Sequence, residues 1–302
     1  MNNTLAIPQN DTTIQSYSFK WNEIKEFFLN KIQVSEMSKK TYNNSLNYFF
    51  NYFNQQQEQF PTVDTIDNYL NYLKEKGLKP TTQRIHIATI KRFFGFLSNR
   101  GIFPNITTEA KAPKVSTDFK KDCLTVPQIK EILSGNHSQR DKLIFLLGVS
   151  CGLRGIEIER LNKSDLQMRG TTPILWIMGK GRTEKEFITI PSDLYQMICN
   201  YIATSDPTQE AIFTSNCNRT KERLSRDMIS RIVKRLMREH NINDSRHTLH
   251  SLRHTTISLA LEQGEELRKV QQLARHKSIN TTLIYAHDLE RQNNTCSETV
   301  MN

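Results

Sequence analysis

The chain has little of what stabilises a secreted or membrane-embedded protein. Its five cysteines, Cys123, Cys151, Cys199, Cys217 and Cys296, are odd in number, widely scattered and show no Cys-x-x-Cys spacing. That pattern excludes a disulfide framework, a zinc site of the usual spacing and a paired redox centre. The thiols read as the reduced cysteines of a cytosolic protein. No stretch approaches the roughly 18 apolar residues that cross a bilayer, and residues 1–17 lack a basic patch leading into an apolar run. Neither spanning nor secretion is expected, and the expected location is cytoplasmic. Internal repeats and low-complexity tracts are also missing.

What is present is positive charge. Lysine and arginine number 41 against 31 acidic residues, a formal net charge of +10 with a sequence pI near 9.3, which favours an anionic partner such as nucleic acid. A length of 302 residues suits two domains, each large enough to bury its own core. Residues 1–17 are polar and read as a flexible lead-in. From 18 to 103 four apolar stripes recur at helical spacing: Trp21, Ile24, Phe28; Leu46, Phe49, Phe50, Phe53; Ile66, Tyr69, Leu70, Leu73; and Ile87, Ile90, Phe94, Leu97. Asp64 and Thr81 stand where N-caps are expected, and Gly77 and Gly101 where two helices should stop. This segment carries 12 basic and 7 acidic residues, and Lys39, Lys40, Thr41 and Thr81, Thr82, Arg84 offer phosphate-binding chemistry near helix starts.

Residues 104–122, with two prolines and little apolar periodicity, read as a linker. A second domain, 123–295, opens with Thr125 as an N-cap and Pro127 in the first turn; a buried helix runs through residues 143–147 and stops near Gly152. Residues 174–178 and 187–190 read as strands flanking a turn at Gly179, Lys180 and Gly181. Beyond them the pattern is helical, with breaks near Gly264 and Ser278, and 296–302 form a tail. The expected fold is therefore mainly α with a small β-sheet.

The chemistry-bearing residues cluster in the second domain. A phosphodiester resists attack because its oxygens are negative and its leaving alkoxide is poor, so metal-free cleavage needs fixed cations and a proton donor. Arg154 and Arg253 supply planar, permanently charged forks for phosphate oxygens. His250 and Arg253 are spaced to share one helical face. Tyr285 can serve as a nucleophile that stores the bond energy in a phosphotyrosyl ester; with a phenol pKa of about 10 it needs a base, and His250 is the expected partner. Lys180, on its turn, suits protonation of the departing oxygen. Singly, each has an ordinary structural explanation, and His247, His254 and His287 show how common lone histidines are here; the joint order is what points to chemistry.

That order resembles the tyrosine recombinases, the phage integrase family, of a two-domain type similar to Xer-like recombinases. The resemblance rests on Gly152, Leu153, Arg154 and Glu157; on Lys180; on His250, Leu252, Arg253 and His254; on His276; and on Thr281, Thr282 and Tyr285. It implies a SAM-like core-binding domain followed by a catalytic domain. It also implies that Arg154 and Arg253 hold the scissile phosphate, that Lys180 and His250 move protons, that His276 hydrogen-bonds the phosphate and that Glu157 supports the site from behind. The implied activity is site-specific cleavage and rejoining of double-stranded DNA through a 3′-phosphotyrosyl intermediate and a four-way junction. A homo-tetramer would act on paired sites, with accessory proteins in some systems and with no metal or other cofactor. The alternatives are type IB topoisomerase-like relaxation and a non-catalytic DNA-binding role. One departure stands out: the family has glycine just before the late histidine, and this chain has Arg275. Either the turn there is built differently or Arg275 adds a phosphate contact.

Overall fold

The computed structural model describes residues 20–56, 58–114, 123–179, 181–215, 222–244 and 246–292. The expected lead-in at 1–17 and tail at 296–302 lie outside them, as do Lys180, Cys217 and Cys296. The chain divides into two compact units, residues 1–117 and 118–302.

The first unit contains four helices, α1 (Trp21–Lys31), α2 (Glu36–Phe53), α3 (Val63–Glu75) and α4 (Pro80–Ser98). The stripes face inward: Phe28, Leu46, Phe49, Ile66, Tyr69, Leu73, Ile87, Ile90, Phe94 and Leu97 are all buried. Burying each such side chain contributes about 1.5–3 kcal/mol. The rings meet edge to face, Phe28 on Phe93 at 5.3 Å and Phe49 on Tyr69 at 5.1 Å, the arrangement their quadrupoles favour. Ile106, Thr107 and Ala110, within the stretch whose composition suggests a tether, are buried in this unit as well.

Two helix starts differ from expectation. The cap of α3 is Thr62, not Asp64: its hydroxyl accepts from the Thr65 amide while Thr65 Oγ1 accepts from the Thr62 amide, a reciprocal box that leaves Asp64 in the first turn beside the positive helix end. The cap of α4 is Lys79, not Thr81, because Pro80 takes the first helical position, where its fixed φ and missing N–H cost nothing. The stops are where the glycines put them. Gly77 and Gly101 have φ of 67° and 63°, and each is followed by an amide reaching back five residues, Leu78 to Leu73 and Ile102 to Leu97.

The second unit begins with α5 (Val126–Ser134), capped by Thr125 with Gln128. The single buried helix expected here is two: Gly135 ends α5 and Ser138 caps α6 (Gln139–Cys151). After the short α7 (Gly155–Glu159) come three antiparallel strands in the order β1 (Leu166–Arg169), β2 (Thr172–Ile177), β3 (Glu186–Thr189). The edge strand β1 is an addition to the two expected; with three of its four residues exposed it carries almost no apolar signal. Then follow α8 (Ser192–Ala203), α9 (Arg226–Glu239), α10 (Leu249–Glu262), α11 (Leu267–Ala274) and α12 (Asn280–Gln292).

Helices α6 and α10 form the spine. Leu143, Ile144, Phe145, Leu147 and Leu252 are fully buried, and α10 lies so close that a Cβ at Gly148 would stand 2.6 Å from Leu252 Cδ1. Thr256 of α10 donates to the carbonyl of Val149. This packing fixes the end of α6 against the middle of α10, where the candidate residues lie. Replacing the true cap, Thr62→Ala, should destabilise by about 1 kcal/mol and Asp64→Ala by only a few tenths, as read from thermal unfolding monitored by circular dichroism; equal losses would mean that Asp64 is the cap.

Candidate active site

Three helix ends and two helix faces supply the candidate residues. Gly152 closes α6 in the left-handed conformation, φ 58°, and turns the chain so that Arg154 caps α7. Glu157, at the third position of α7, reaches back: Oε2 accepts from the Arg154 amide at 2.8 Å and Oε1 from Arg154 Nη1 at 2.8 Å. Its side chain is 0% exposed and that of Arg154 is 32% exposed, so the carboxylate is interior and the guanidinium borders solvent. Burial alone would raise the Glu157 pKa, but Arg275, then the Arg154 backbone and guanidinium, outweigh it and hold the carboxyl below its ordinary value.

On α10, His250 and Arg253 come three residues apart, yet their environments differ. His250 is exposed and Arg253 is only 2% exposed. Arg253 donates from Nη1 to the Gly152 carbonyl at 2.7 Å and from Nη2 to the Ala274 carbonyl. Burial, then the neighbouring Arg154 and Arg275, push its guanidinium down to about 9, which leaves it charged at neutral pH. Arg154 and His250 also line one cleft with Arg226, Ser230 and Thr248, which adds a further cation.

His276 follows the end of α11. Its Nδ1 meets Thr282 Oγ1 of α12 at 2.9 Å; with the hydroxyl as donor, the ring's single proton lies on Nε2. Burial, then Arg253, Arg154 and Arg275, lower its pKa to about 4, so it is neutral at pH 7. Although His250 as a residue is exposed, its ring is partly desolvated by its neighbours, and this, then Arg253 and Arg154, lowers its pKa as well. Tyr285 is buried among Ile257, Val270 and Ala274, and burial pushes its phenol up to about 12 despite the opposing pull of Arg253.

The partner of Tyr285 corrects the sequence expectation. Its hydroxyl hydrogen-bonds Nδ1 of His254, and His250 stands one ring behind, its imidazole edge-on to that of His254 at 4.6 Å. Four residues make one turn of α10, so both histidines share a face, and the inner one meets α12. The signal was in the sequence, a second histidine at the helical repeat, but His247 and His287 nearby made it look ordinary.

The expectation of a differently built turn at Arg275 does not hold. The turn is built with the left-handed residue that a glycine would supply, φ 52° and ψ 42°, which costs on the order of 1–2 kcal/mol for a residue with a Cβ. The His276 amide reaches back to the Gln271 carbonyl and the Arg275 amide to that of Gln272, the double bond of a Schellman end. The Arg275 side chain is 4% exposed and turns inward. Nη2 donates to Glu157 Oε2 at 2.8 Å and to the Gly152 carbonyl at 3.0 Å; Nη1 donates to the carbonyls of Leu273 at 2.7 Å and Cys151 at 3.3 Å.

The structure thus gathers Arg154, Glu157, His250, Arg253, His276 and Tyr285 around the meeting of α6, α7, α10, α11 and α12. Lys180 lies outside the described residues; of its turn, Gly181 has φ 69° and the Gly179 carbonyl accepts from Arg160 at 3.2 Å. The six DNA-contact candidates belong to the first unit. Lys40, Thr81 and Arg84 are exposed, and Thr82 is half-buried. Lys39 pairs with Glu36 at 3.0 Å, and the Thr41 hydroxyl donates to the Met37 carbonyl at 3.0 Å. Among the described residues no cluster of metal ligands occurs, and no helix is long and apolar enough to cross a membrane.

Comparison with known proteins converges on one family. The model described as Phage integrase family matches residues 122–292, and that described as Phage integrase, N-terminal SAM-like domain matches residues 23–101. The tyrosine recombinase XerC of Roseiflexus castenholzii is 31% identical over 244 residues, 75% of this chain and 74% of that protein. The XerC of Caldanaerobacter subterraneus subsp. tengcongensis is 26% identical over 223 residues, 70% of this chain but 61% of that protein, so the match spans less than two thirds of its length. Among solved structures, the XerH site-specific recombinase bound to palindromic difH substrate, a post-cleavage complex, has a TM-score of 0.74 at 17% identity, covering 91% of this chain and 84% of that one. It shares the fold.

The low basicity of His276 has a measurable sign. Its imidazole should titrate with a midpoint near 4 in nuclear magnetic resonance spectra, and a midpoint at or above 6.5 would mean that the ring is solvated. Because the unfolded chain takes that proton first, stability should be lost as pH falls from about 6.5 towards 4.

Proposed function

The chain is a tyrosine recombinase of the phage integrase family, and from that premise we propose how its residues divide the work of cleaving and rejoining DNA at a specific site. The observation that carries the reading is the charge balance of the site: Arg154 and Arg275 pair with one carboxylate, Glu157, and Arg253 lies near enough to feel their charges while bonding only backbone carbonyls. An excess of fixed positive charge in a partly dry pocket is a binding site for an anion and stabilises charge that grows on a phosphorane-like transition state.

In this reading Arg154 and Arg253 hold the non-bridging oxygens of the scissile phosphate, and His276 donates to one of them from Nε2. The Tyr285 oxygen attacks phosphorus, the bond from phosphorus to the 5′ oxygen breaks, and a 3′-phosphotyrosyl ester forms. At a pKa of about 12 only about one phenol in 10⁵ is ionised at pH 7, so the proton must leave during attack rather than before it. His254 is placed to take it, with His250 next along the same face. Lys180, carried over from the family pattern, gives the departing 5′ oxygen its proton. The reverse steps, with a 5′ hydroxyl from the partner strand as nucleophile, rejoin the DNA through a four-way junction. Each broken bond is kept in the ester, so the scheme uses no metal and no nucleotide.

The first unit is proposed to hold the duplex through Lys39, Lys40, Thr41, Thr81, Thr82 and Arg84. The tetramer on paired sites and any accessory proteins belong to the same proposal. The comparisons lend no support to topoisomerase-like relaxation or to binding without chemistry.

On a nicked duplex from the DNA flanking the gene, the wild-type chain should form a covalent adduct on a denaturing gel and Tyr285→Phe none. His254→Ala should slow the adduct by about 10²–10⁴-fold if it takes the proton; a rate within about 3-fold of wild type would return that role to His250. Lys40→Ala and Arg84→Ala should each weaken DNA binding and lower the slope of log affinity against log salt by about 1, as measured by fluorescence anisotropy; an unchanged slope removes the residue from the interface.

A further inference from the structure

Arg275 holds a left-handed position that suits glycine, and it touches the supports of three residues that the reading above assigns to the phosphate, two through its side chain and one through its backbone. Through Glu157 it reaches Arg154: the carboxylate accepts from Arg154 with Oε1 and from Arg275 with Oε2, both at 2.8 Å. Through the Gly152 carbonyl it reaches Arg253, since that oxygen accepts from Arg253 Nη1 at 2.7 Å and from Arg275 Nη2 at 3.0 Å. Through its own backbone it reaches His276, whose amide closes the turn that Arg275 opens.

A left-handed arginine is disfavoured locally, and a buried guanidinium is disfavoured by desolvation. The surroundings do not satisfy every donor either, because Arg275 Nε is buried without a hydrogen-bond partner among the described residues. Three unfavourable features at one position, where glycine would avoid all three, call for a compensating role. A lone carboxylate facing Arg154 could follow that side chain as it moves; with Arg275 on its other oxygen, Glu157 is held from both ends and so fixes Arg154. Sharing the Gly152 carbonyl ties Arg253 to the same point.

We propose that Arg275 is a positioning residue that locks Arg154 and Arg253 into one geometry for the scissile phosphate, doing with a buried fork what a glycine turn cannot. It touches no reacting atom. The inference rests on the assignment of Arg154 and Arg253 to the phosphate.

The test is single-turnover formation of the Tyr285 adduct on nicked duplex, with DNA affinity measured in parallel and each variant assayed well below its melting temperature. Arg275→Gly restores the residue that suits the turn, so a purely structural contribution is smallest there. It should nevertheless cleave about 10- to 100-fold more slowly with affinity within about 2-fold of wild type, because misplaced groups cost rate rather than binding. Arg275→Lys, which keeps the charge without the fork, should fall between. In the Arg154→Ala background, Arg275→Gly should add little further loss, since the two act on one step. Cleavage by Arg275→Gly within about 3-fold of wild type, a loss fully matched by affinity, or independent multiplication with Arg154→Ala would each overturn the proposal. A wild-type chain that forms no adduct would instead overturn the reading on which it rests.

Discussion

A single buried carboxylate organises the catalytic unit. Glu157 has no exposed surface, and two guanidiniums, Arg154 and Arg275, bond its two oxygens. An unpaired carboxylate so placed would take up a proton; paired twice, it stays ionised. Yet it neutralises only one of the three arginines nearby. Burial, and after it the uncompensated charge, lowers the basicity of His250 and His276 and that of Arg253 itself. The site therefore keeps an excess of positive charge, and a phosphodiester is an anion of the kind that arginine forks fit.

The arginines are held by helix ends more than by side chains. The last carbonyls of a helix have no intrahelical partner and carry its partial negative charge. At the end of α6, the Cys151 and Gly152 carbonyls accept from Arg275 and Arg253; at the end of α11, Leu273 and Ala274 do the same. Two left-handed residues, Gly152 and Arg275, turn the chain at those ends. Orphaned acceptors thus become the frame that aims the cations, and the close packing of α6 on α10 at Gly148 sets the frame's dimensions.

Much of this is legible in the sequence. The stripes from Phe28 to Leu97 gave four helices because buried aromatics at helical spacing leave few other solutions, and the glycine stops at 77, 101 and 152 follow from φ above zero. The family pattern named six of the residues that the fold brings together. What escaped depends on competition between neighbours. Thr62 and Lys79 displaced Asp64 and Thr81 as caps because a reciprocal threonine box and a proline at the first helical position shift the start by two residues. The split between α5 and α6 hinges on a few residues around Gly135. Strand β1 has almost no apolar face. His254 and the inward turn of Arg275 are tertiary facts: each depends on a helix contributed from elsewhere in the chain, α12 in one case and α7 in the other.

The proton chemistry follows from the same excess of charge. In the proposed scheme Tyr285 starts out protonated, held so by burial, and His250 and His276 start out neutral, held so by burial and then by the arginines. A bound phosphate brings negative charge to Arg154 and Arg253, the groups that follow burial in lowering the basicity of His250 and His276. Cancelling part of their field raises the basicity of both rings, so that His250 can relay the proton that His254 takes from the phenol while His276 keeps its hydrogen bond to the phosphate. Substrate binding and base strength are thereby coupled through the arginines, with no moving part required, and a water molecule in the same pocket, being uncharged, would not release that block.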